Sequence, residues 1–266
     1  LKRKHLLELH EQPWMPSLLR DAATGYLEVL SRLLGLHRHL APVVRETLER
    51  SGARRIVDLC SGGGGPMPWI HRELGELGGQ VDLLLTDLFP NREAFACREN
   101  CDGIQVRMEP VDARAVPEDL TGMRTMANAF HHFRPEEARQ ILADAAQKSA
   151  PLLVMEITDR SWHTVLTSPL IFLLALIFMP MVRPLRIGYL VFTYLIPLVP
   201  AILFIDGLVS HLRSYRVDEL RAMAESVAVE GYRWEVRRLP LQPGLSATLL
   251  CGMPENPESS GGSAAG

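Results

Sequence analysis

Apolar positions in the first fifty residues recur at helical spacing: Leu18, Leu19, Ala22, Leu27, Leu30, Leu33 and Leu34 predict a helical segment over residues 1–50. From Arg55 onward the period changes. Short apolar runs, each closed by a polar residue, alternate with helical stretches. The strands expected are Arg55–Asp58, Gln80–Thr86 (QVDLLLT), Gln105–Val111, Arg124–Ala129 and Leu152–Ile157. Helices are expected near Pro68–Leu77, over Asn91–Asn100 and from Pro135 to Lys148, where a proline suits the first turn. Near the end, Tyr232, Trp234 and Val236 alternate with Arg233, Glu235 and Arg237, as a half-exposed strand does, and Gly231–Leu239 pairs with Ser246–Gly252 as an antiparallel hairpin.

One stretch departs from both periods. Pro169–Val182 and Ile187–Ile205 carry no charged side chain and lie between the fifth strand and the last helix. A spanning helix needs roughly twenty apolar residues. The first segment is too short, and Pro197 and Pro200 kink or end the second. A hairpin with both ends on one side would also carry Arg183 and Arg186 across the bilayer, against the usual bias of basic loops. The pattern therefore fits a shallow, monotopic insertion with those arginines at the headgroups, or an apolar surface buried in a homodimer.

With 266 residues, 47% of them hydrophobic, the chain can bury a full core, and we expect one domain with an elaboration. A net charge of -3 without long basic runs argues against a nucleic-acid partner. Four scattered cysteines do not make a secreted disulfide framework, so a reducing cytosol is expected. Cys97 and Cys101 share a helical face, but no further Cys or His pair completes a tetrahedron and no metal site is expected. No signal-peptide pattern is visible, and residues 254–266, rich in Pro, Glu, Ser and Gly, are expected to be a disordered tail.

The chemistry concentrates at RIVDLCSGGGGP, Arg55–Pro66, where a strand ends in an acid and runs into four glycines. Such a loop lets backbone N–H groups approach a ligand. The dinucleotide fingerprint fails: counted from Gly62 its third glycine falls on Met67, and counted from Gly63 on Pro68. No Lys follows the glycines, so nothing neutralises a triphosphate. Asp58, Asp87 and Asp112 close three successive strands, the rim at which an open parallel sheet binds ligands. Asp87 suits ribose hydroxyls there, or a helix N-cap.

With Asp58 at the strand end and Gly62 and Gly64 in the turn, the segment resembles motif I of class I S-adenosylmethionine-dependent methyltransferases; Cys60 stands where that family most often has its first glycine. The resemblance implies a Rossmann-like seven-stranded sheet of order 3-2-1-4-5-7-6, with an N-terminal helical cap over residues 1–50 and a methyltransferase domain over 51–253. An apolar helical hairpin, residues 165–205, is inserted in that domain. It further implies S-adenosylmethionine as cofactor, held by Asp58, Cys60, Gly62, Gly64, Asp87, Leu88, Asp112, Ala113 and Asn128.

His131 and His132, after the fourth strand, are the catalytic candidates, for positioning the acceptor or taking its proton, though packing explains a histidine there equally simply. Trp14, Tyr26, His37, Asp206 and Arg213 are candidates for the substrate side, with core packing as the alternative for the first three and a salt bridge fastening the insertion for the last two. Together these features lead us to expect transfer of a methyl group to an apolar small-molecule or lipid-like acceptor by a cytoplasmic protein, peripheral or monotopic at the cytoplasmic membrane. The alternative is a membrane-tethered S-adenosylmethionine-binding protein with a non-methylating reaction or a scaffold role.

Overall fold

In the computed structural model, which describes residues 1–90, 95 and 103–255, the chain divides into two compact units. One comprises His39–Ile157 and Val217 onward, the other Leu1–Arg38 and Thr158–Arg216. The division falls inside the helix Leu36–Ser51, so residues 39–51 group with the sheet and the rest of the N-terminal segment with the apolar stretch.

The first unit is built on seven strands: β1 (Arg55–Asp58), β2 (Asp82–Leu85), β3 (Ile104–Val106), β4 (Met123–Ala127), β5 (Leu152–Glu156), β6 (Tyr232–Gln242) and β7 (Leu245–Pro254). Their order is β3-β2-β1-β4-β5-β7-β6, as expected, with β1 to β5 parallel and β7 antiparallel to both neighbours. β4 and β5 are buried almost throughout, as strands covered on both faces are, and the polar Arg124 and Thr125 of β4 are taken inside by bonds to Asp144 and Asp58. β6 buries Tyr232 and Val236 and exposes Arg233 and Glu235. At the entry to β4 only a glycine fits: a Cβ on Gly122 (φ +134) would lie 2.6 Å from the Arg55 carbonyl oxygen.

Two expectations are corrected at the edges of elements. The third strand is not Gln105–Val111 but Ile104–Val106; Arg107 N still donates to Leu85 O at 3.0 Å before the chain leaves the ladder, Pro110 has no N–H with which to resume it, and Val111 N rejoins the sheet rim at Asp87 O, 2.9 Å away. Pro254 belongs to β7, opposite Tyr232, rather than to the tail, and Glu255 N bonds to Gly231 O. The remaining tail, 256–266, and the expected helix Asn91–Asn100 with Cys97 and Cys101 lie outside the described residues, apart from Phe95.

The second unit is helical. Ser17–Leu33 buries Leu19, Ala22, Ala23, Tyr26 and Val29 against Ala175, Met179, Val182, Tyr189, Val199 and Ile202. Close approach depends on glycine: a Cβ on Gly25 would meet Val182 Cγ1 at 2.5 Å, one on Gly188 Leu18 Cδ2 at 2.7 Å, and one on Gly207 Ile171 Cδ1 at 2.6 Å. The expected apolar segments become Pro169–Phe178, Ile187–Leu190 with a π-helical turn Val191–Leu195, and Leu198–Arg213. Pro197 breaks the second segment with a bend of 77°, whereas Pro200 is accommodated in the first turn of the new helix, where its missing N–H leaves no bond unmade. No single helix among the described residues is long and apolar enough to cross a membrane.

Candidate functional site

In the sheet unit, β1 ends at Asp58, whose side chain is buried at 2% exposure beneath the glycine loop. Ser61 Oγ donates to its Oδ2 at 2.7 Å and Thr125 Oγ1, from β4, to its Oδ1 at 2.7 Å. Burial pushes the Asp58 carboxyl up to about 7; the two hydroxyls oppose that rise and the charge of Asp87 adds to it. Thr86 Oγ1 donates to the Asp58 carbonyl at 2.8 Å and Ser61 N to Thr86 O at 2.9 Å, so the loop is fastened to the ends of both neighbouring strands.

The loop itself runs through left-handed conformations at Cys60 (φ +57), Gly62 (φ +56), Gly64 (φ +106) and Gly65 (φ +50). A side chain costs of the order of 1–2 kcal/mol in that region, which explains why a glycine suits position 60. No atom lies within 4 Å of where a Cβ on Gly62 would stand, so the space before that backbone is open. The half-buried Cys60 thiol is pushed up, first by loss of solvent and then by the charges of Asp87, Asp58 and Asp112. All three strand-end acids thus act on one point of the loop.

Asp87, half-buried at the end of β2, accepts from Gly62 N at 2.8 Å on one oxygen and from Phe89 N at 2.8 Å on the other. The second bond is an Asx-type turn, and the helix that Asp87 would alternatively cap lies outside the described residues. Leu88 beside it is half-buried. Asp112 is clamped by Arg114: Nη2 reaches Oδ2 at 2.7 Å, and Nε and the backbone N each reach Oδ1 at 2.9 Å. These bonds hold the Asp112 carboxyl below its ordinary range. Arg114 also reaches Glu137 at 3.3 Å, and Ala113 is buried.

At the end of β4, Asn128 (φ +53) accepts from Ile157 N at 3.2 Å through Oδ1, joining the ends of β4 and β5. Glu156, the last residue of β5, is buried; it accepts from Phe130 N at 2.8 Å and pairs with His131 Nδ1 at 2.5 Å. Burial drives the Glu156 carboxyl upward, but the charge and hydrogen bond of His131, the Phe130 amide and His132 outweigh it and leave it lowered. The carboxylate therefore accepts from Nδ1–H of His131 and orients the ring. The ring of half-buried His132 lies 4.2 Å from that of buried His131.

The substrate-side candidates all belong to the other unit. Tyr26 is part of its apolar core, where burial pushes the phenol up to about 12, and Trp14 is exposed. Asp206 is buried and accepts from Leu9 N at 2.6 Å, His10 N at 3.0 Å and His10 Nδ1 at 2.9 Å. Arg213 reaches Glu8 at 3.3 Å and Glu11 at 3.1 Å. Both side chains are thus engaged in fastening residues 8–11 to the helix Leu198–Arg213. His37 is half-buried.

Sequence reasoning missed Ser61, Thr125 and Arg114. Arg114 had a local signal, an arginine two residues from a strand-end acid, whereas Thr125 lies 67 residues from Asp58 and reads as an ordinary strand residue.

No protein-family profile matches the chain, and no curated protein does. Solved structures do. The plantazolicin methyltransferase BpumL, solved in complex with SAH, aligns over 90% of this chain and 86% of its own at 10% identity, with a TM-score of 0.51. The chain has the class I methyltransferase fold. A bacterial CtHen1 methyltransferase domain aligns over 83% of this chain and 99% of its own at 12% identity (TM-score 0.50). Human N-acetylserotonin methyltransferase, in complex with SAM, aligns over 87% of the chain at 13% identity (TM-score 0.50). The chain spans 56% of that human enzyme and 47% of the citrinin polyketide synthase CMeT domain. In this methyltransferase fold, Asp58, Asp87 and Asp112 stand at the carboxyl-end rim of the parallel strands, where open sheets bind ligands.

Proposed function

We propose that this chain is an S-adenosylmethionine-dependent methyltransferase whose acceptor is an apolar small molecule or a lipid-like molecule met at the cytoplasmic surface of a membrane. The observation that carries the reading is a left-handed glycine loop fastened to two carboxylates, Asp58 through Ser61 and Asp87 through Gly62 N, with no lysine following it. That donor set favours a cationic ligand over a polyphosphate.

The residues present fit this cofactor. Open space before Gly62 admits it close to the backbone, and Asp87, with each oxygen already fixed by an amide, keeps lone pairs for two ribose hydroxyls. Asp112 and the Ala113 N–H would hold the adenine edge, with Arg114 fixing the Asp112 carboxylate in place. Asp58 organises the loop from below through Ser61 and Thr125, and Cys60, Gly64, Leu88 and Asn128 complete the walls. When bound, the cofactor supplies a methyl group on a sulfonium, an electrophile that needs no metal.

The protein's part is then orientation and exclusion of water, which together lower the barrier of an in-line transfer. His131, with its tautomer set by Glu156, would direct Nε2 at the acceptor and take its proton, and His132 would position the acceptor beside it. An apolar acceptor is supported by the exposed aliphatic and aromatic side chains of the helical unit.

The test is consumption of radiolabelled methyl donor by the purified protein in the presence of a membrane lipid extract or quinone-like compounds. Label recovered in an extracted lipid or quinone is the expected result. Donor binding without label transfer to any apolar compound would overturn the proposed reaction and favour a binding role.

A further inference from the structure

Within the helical unit, one surface is apolar, exposed and regular. Trp162, Leu166, Leu170, Leu173, Ile177 and Met181 follow one another at intervals of three or four residues and are between 37% and 75% exposed. They run along the helices Trp162–Thr167 and Pro169–Phe178 and the turn after them; the two helices join at Ser168, which keeps helical dihedrals (φ -53, ψ -35), so the spacing continues across the junction. The opposite face supplies Ala175 and Met179 to the core. The stripe is therefore a surface in its own right and not residue left over from packing. Tyr194 Oη donates to Leu176 O at 2.6 Å, which brings the exposed residues Tyr194, Leu195 and Ile196, at the proline break, beside it.

Within the inserted segment the charge has one sign. Between Arg160 and Asp206 the chain contains no Asp or Glu, while Arg183 and Arg186 occupy the turn between the apolar segments and both are exposed. Arg183 is held outward by its bonds to the Pro180 and Val182 carbonyls, and Arg186 reaches Asp21 at 3.2 Å while remaining half exposed. The break of 77° at Pro197 rules out a straight span, so the apolar area is presented sideways. An apolar stripe with basic residues at its end and an aromatic at its start is the pattern of a helix lying in the headgroup region of a bilayer.

We propose that the stripe from Trp162 to Met181 docks this protein on an anionic phospholipid bilayer, with Arg183 and Arg186 at the headgroups. This rests on the membrane location proposed above and not on the methyl-transfer reaction. It identifies the surface that meets the lipid and the sign of the headgroup it takes.

The experiment is co-sedimentation of the full chain with phosphatidylcholine vesicles and with vesicles containing phosphatidylglycerol, alongside light scattering without lipid. Binding to the anionic vesicles is expected. Combined substitution Leu170→Glu, Leu173→Glu and Ile177→Glu should weaken it about a hundredfold or more. Arg183→Glu should weaken it about fivefold and abolish the preference for the anionic lipid. Because the stripe is already exposed, these variants should keep the wild-type circular dichroism and S-adenosylmethionine affinity, which separates loss of docking from loss of the cofactor site. As an independent readout, quenching of fluorescence by brominated lipid should be lost in Trp162→Phe. Vesicle binding unaffected by the triple substitution, absence of binding to anionic vesicles, or a dimer that the triple substitution converts to monomer would each overturn the proposal.

Discussion

Both units of this chain bury partnered polar groups, and they differ in what they leave exposed. In the sheet unit the polar groups taken inside meet specific partners: Asp58 meets Ser61 and Thr125, Glu156 meets Phe130 N and His131, and Arg124 Nη1 meets Asp144 at 2.8 Å. In the helical unit apolar groups are left outside along a continuous stripe, while packing inside relies on small residues such as Gly25, Gly188 and Gly207. An unsatisfied carboxylate in an apolar sheet is costly, so each buried acid at the rim implies specific partners and hence a built site. An exposed leucine costs little by itself and becomes informative only when it recurs at helical spacing with one sign of charge beside it. We accordingly propose the sheet unit as the place for chemistry and the helical unit as the place for a surface partner.

Substitutions can break this comparison from either side. The largest effect is expected at Glu156→Gln. The amide still accepts from Phe130 N, but turns an N–H toward His131 Nδ1 and reverses the ring's tautomer. Turnover should fall about a hundredfold, with cofactor affinity retained. Unchanged turnover, measured with any acceptor found, would remove His131 from proton transfer. Next, Asp87→Ala removes the anchor of Gly62 N and the proposed ribose contact, and S-adenosylmethionine affinity should drop about thirtyfold in calorimetry. Equal affinity would leave Asp87 as a loop fastener only.

In the helical unit, Gly207→Val forces the Ile171 side chain away and should cost between about 1 and 2 kcal/mol of stability, read as a lowered denaturation midpoint. S-adenosylmethionine affinity should not change, because no proposed cofactor contact lies in that unit. A simultaneous loss of cofactor binding in a folded variant would break the separation of roles. The subtlest effect is on pH dependence. Asp58 binds its proton more tightly folded, up to about 7, than an exposed carboxyl at 3.8. Its folded state thus holds the extra proton across that window, and its contribution to stability declines as pH rises from about 4 to 7, by at most about 1.4 kcal/mol per pH unit. Asp58→Asn should flatten that slope in denaturant titrations at several pH values; an identical slope would show that the carboxyl is already ionised at low pH.

Much of the sheet was legible because its signals are local. β2 and β5 announce themselves by apolar runs, β6 by its alternation, and the glycine loop by residues that tolerate positive φ. The rim acids were legible from their recurrence at strand ends. What stayed hidden is long-range. Nothing near Asp58 names Thr125, 67 positions away, and nothing near Asp206 names His10, 196 positions away. The grouping of Leu1–Arg38 with Thr158–Arg216 arises from the same cause: two apolar helical faces specify burial but not which partner supplies it. Pro197 was readable as a break, but the π-helical turn before it and the 77° bend depend on how Tyr189 and Thr193 are buried.

The central claim is that the acid-rimmed glycine loop holds S-adenosylmethionine. Isothermal calorimetry of the detergent-purified chain tests it most directly, with S-adenosylmethionine, its demethylated product and NAD titrated in turn. Binding of the first two and not of NAD is the predicted result. Binding of NAD alone, or of none of the three by a protein whose folding is confirmed by circular dichroism, would contradict the account.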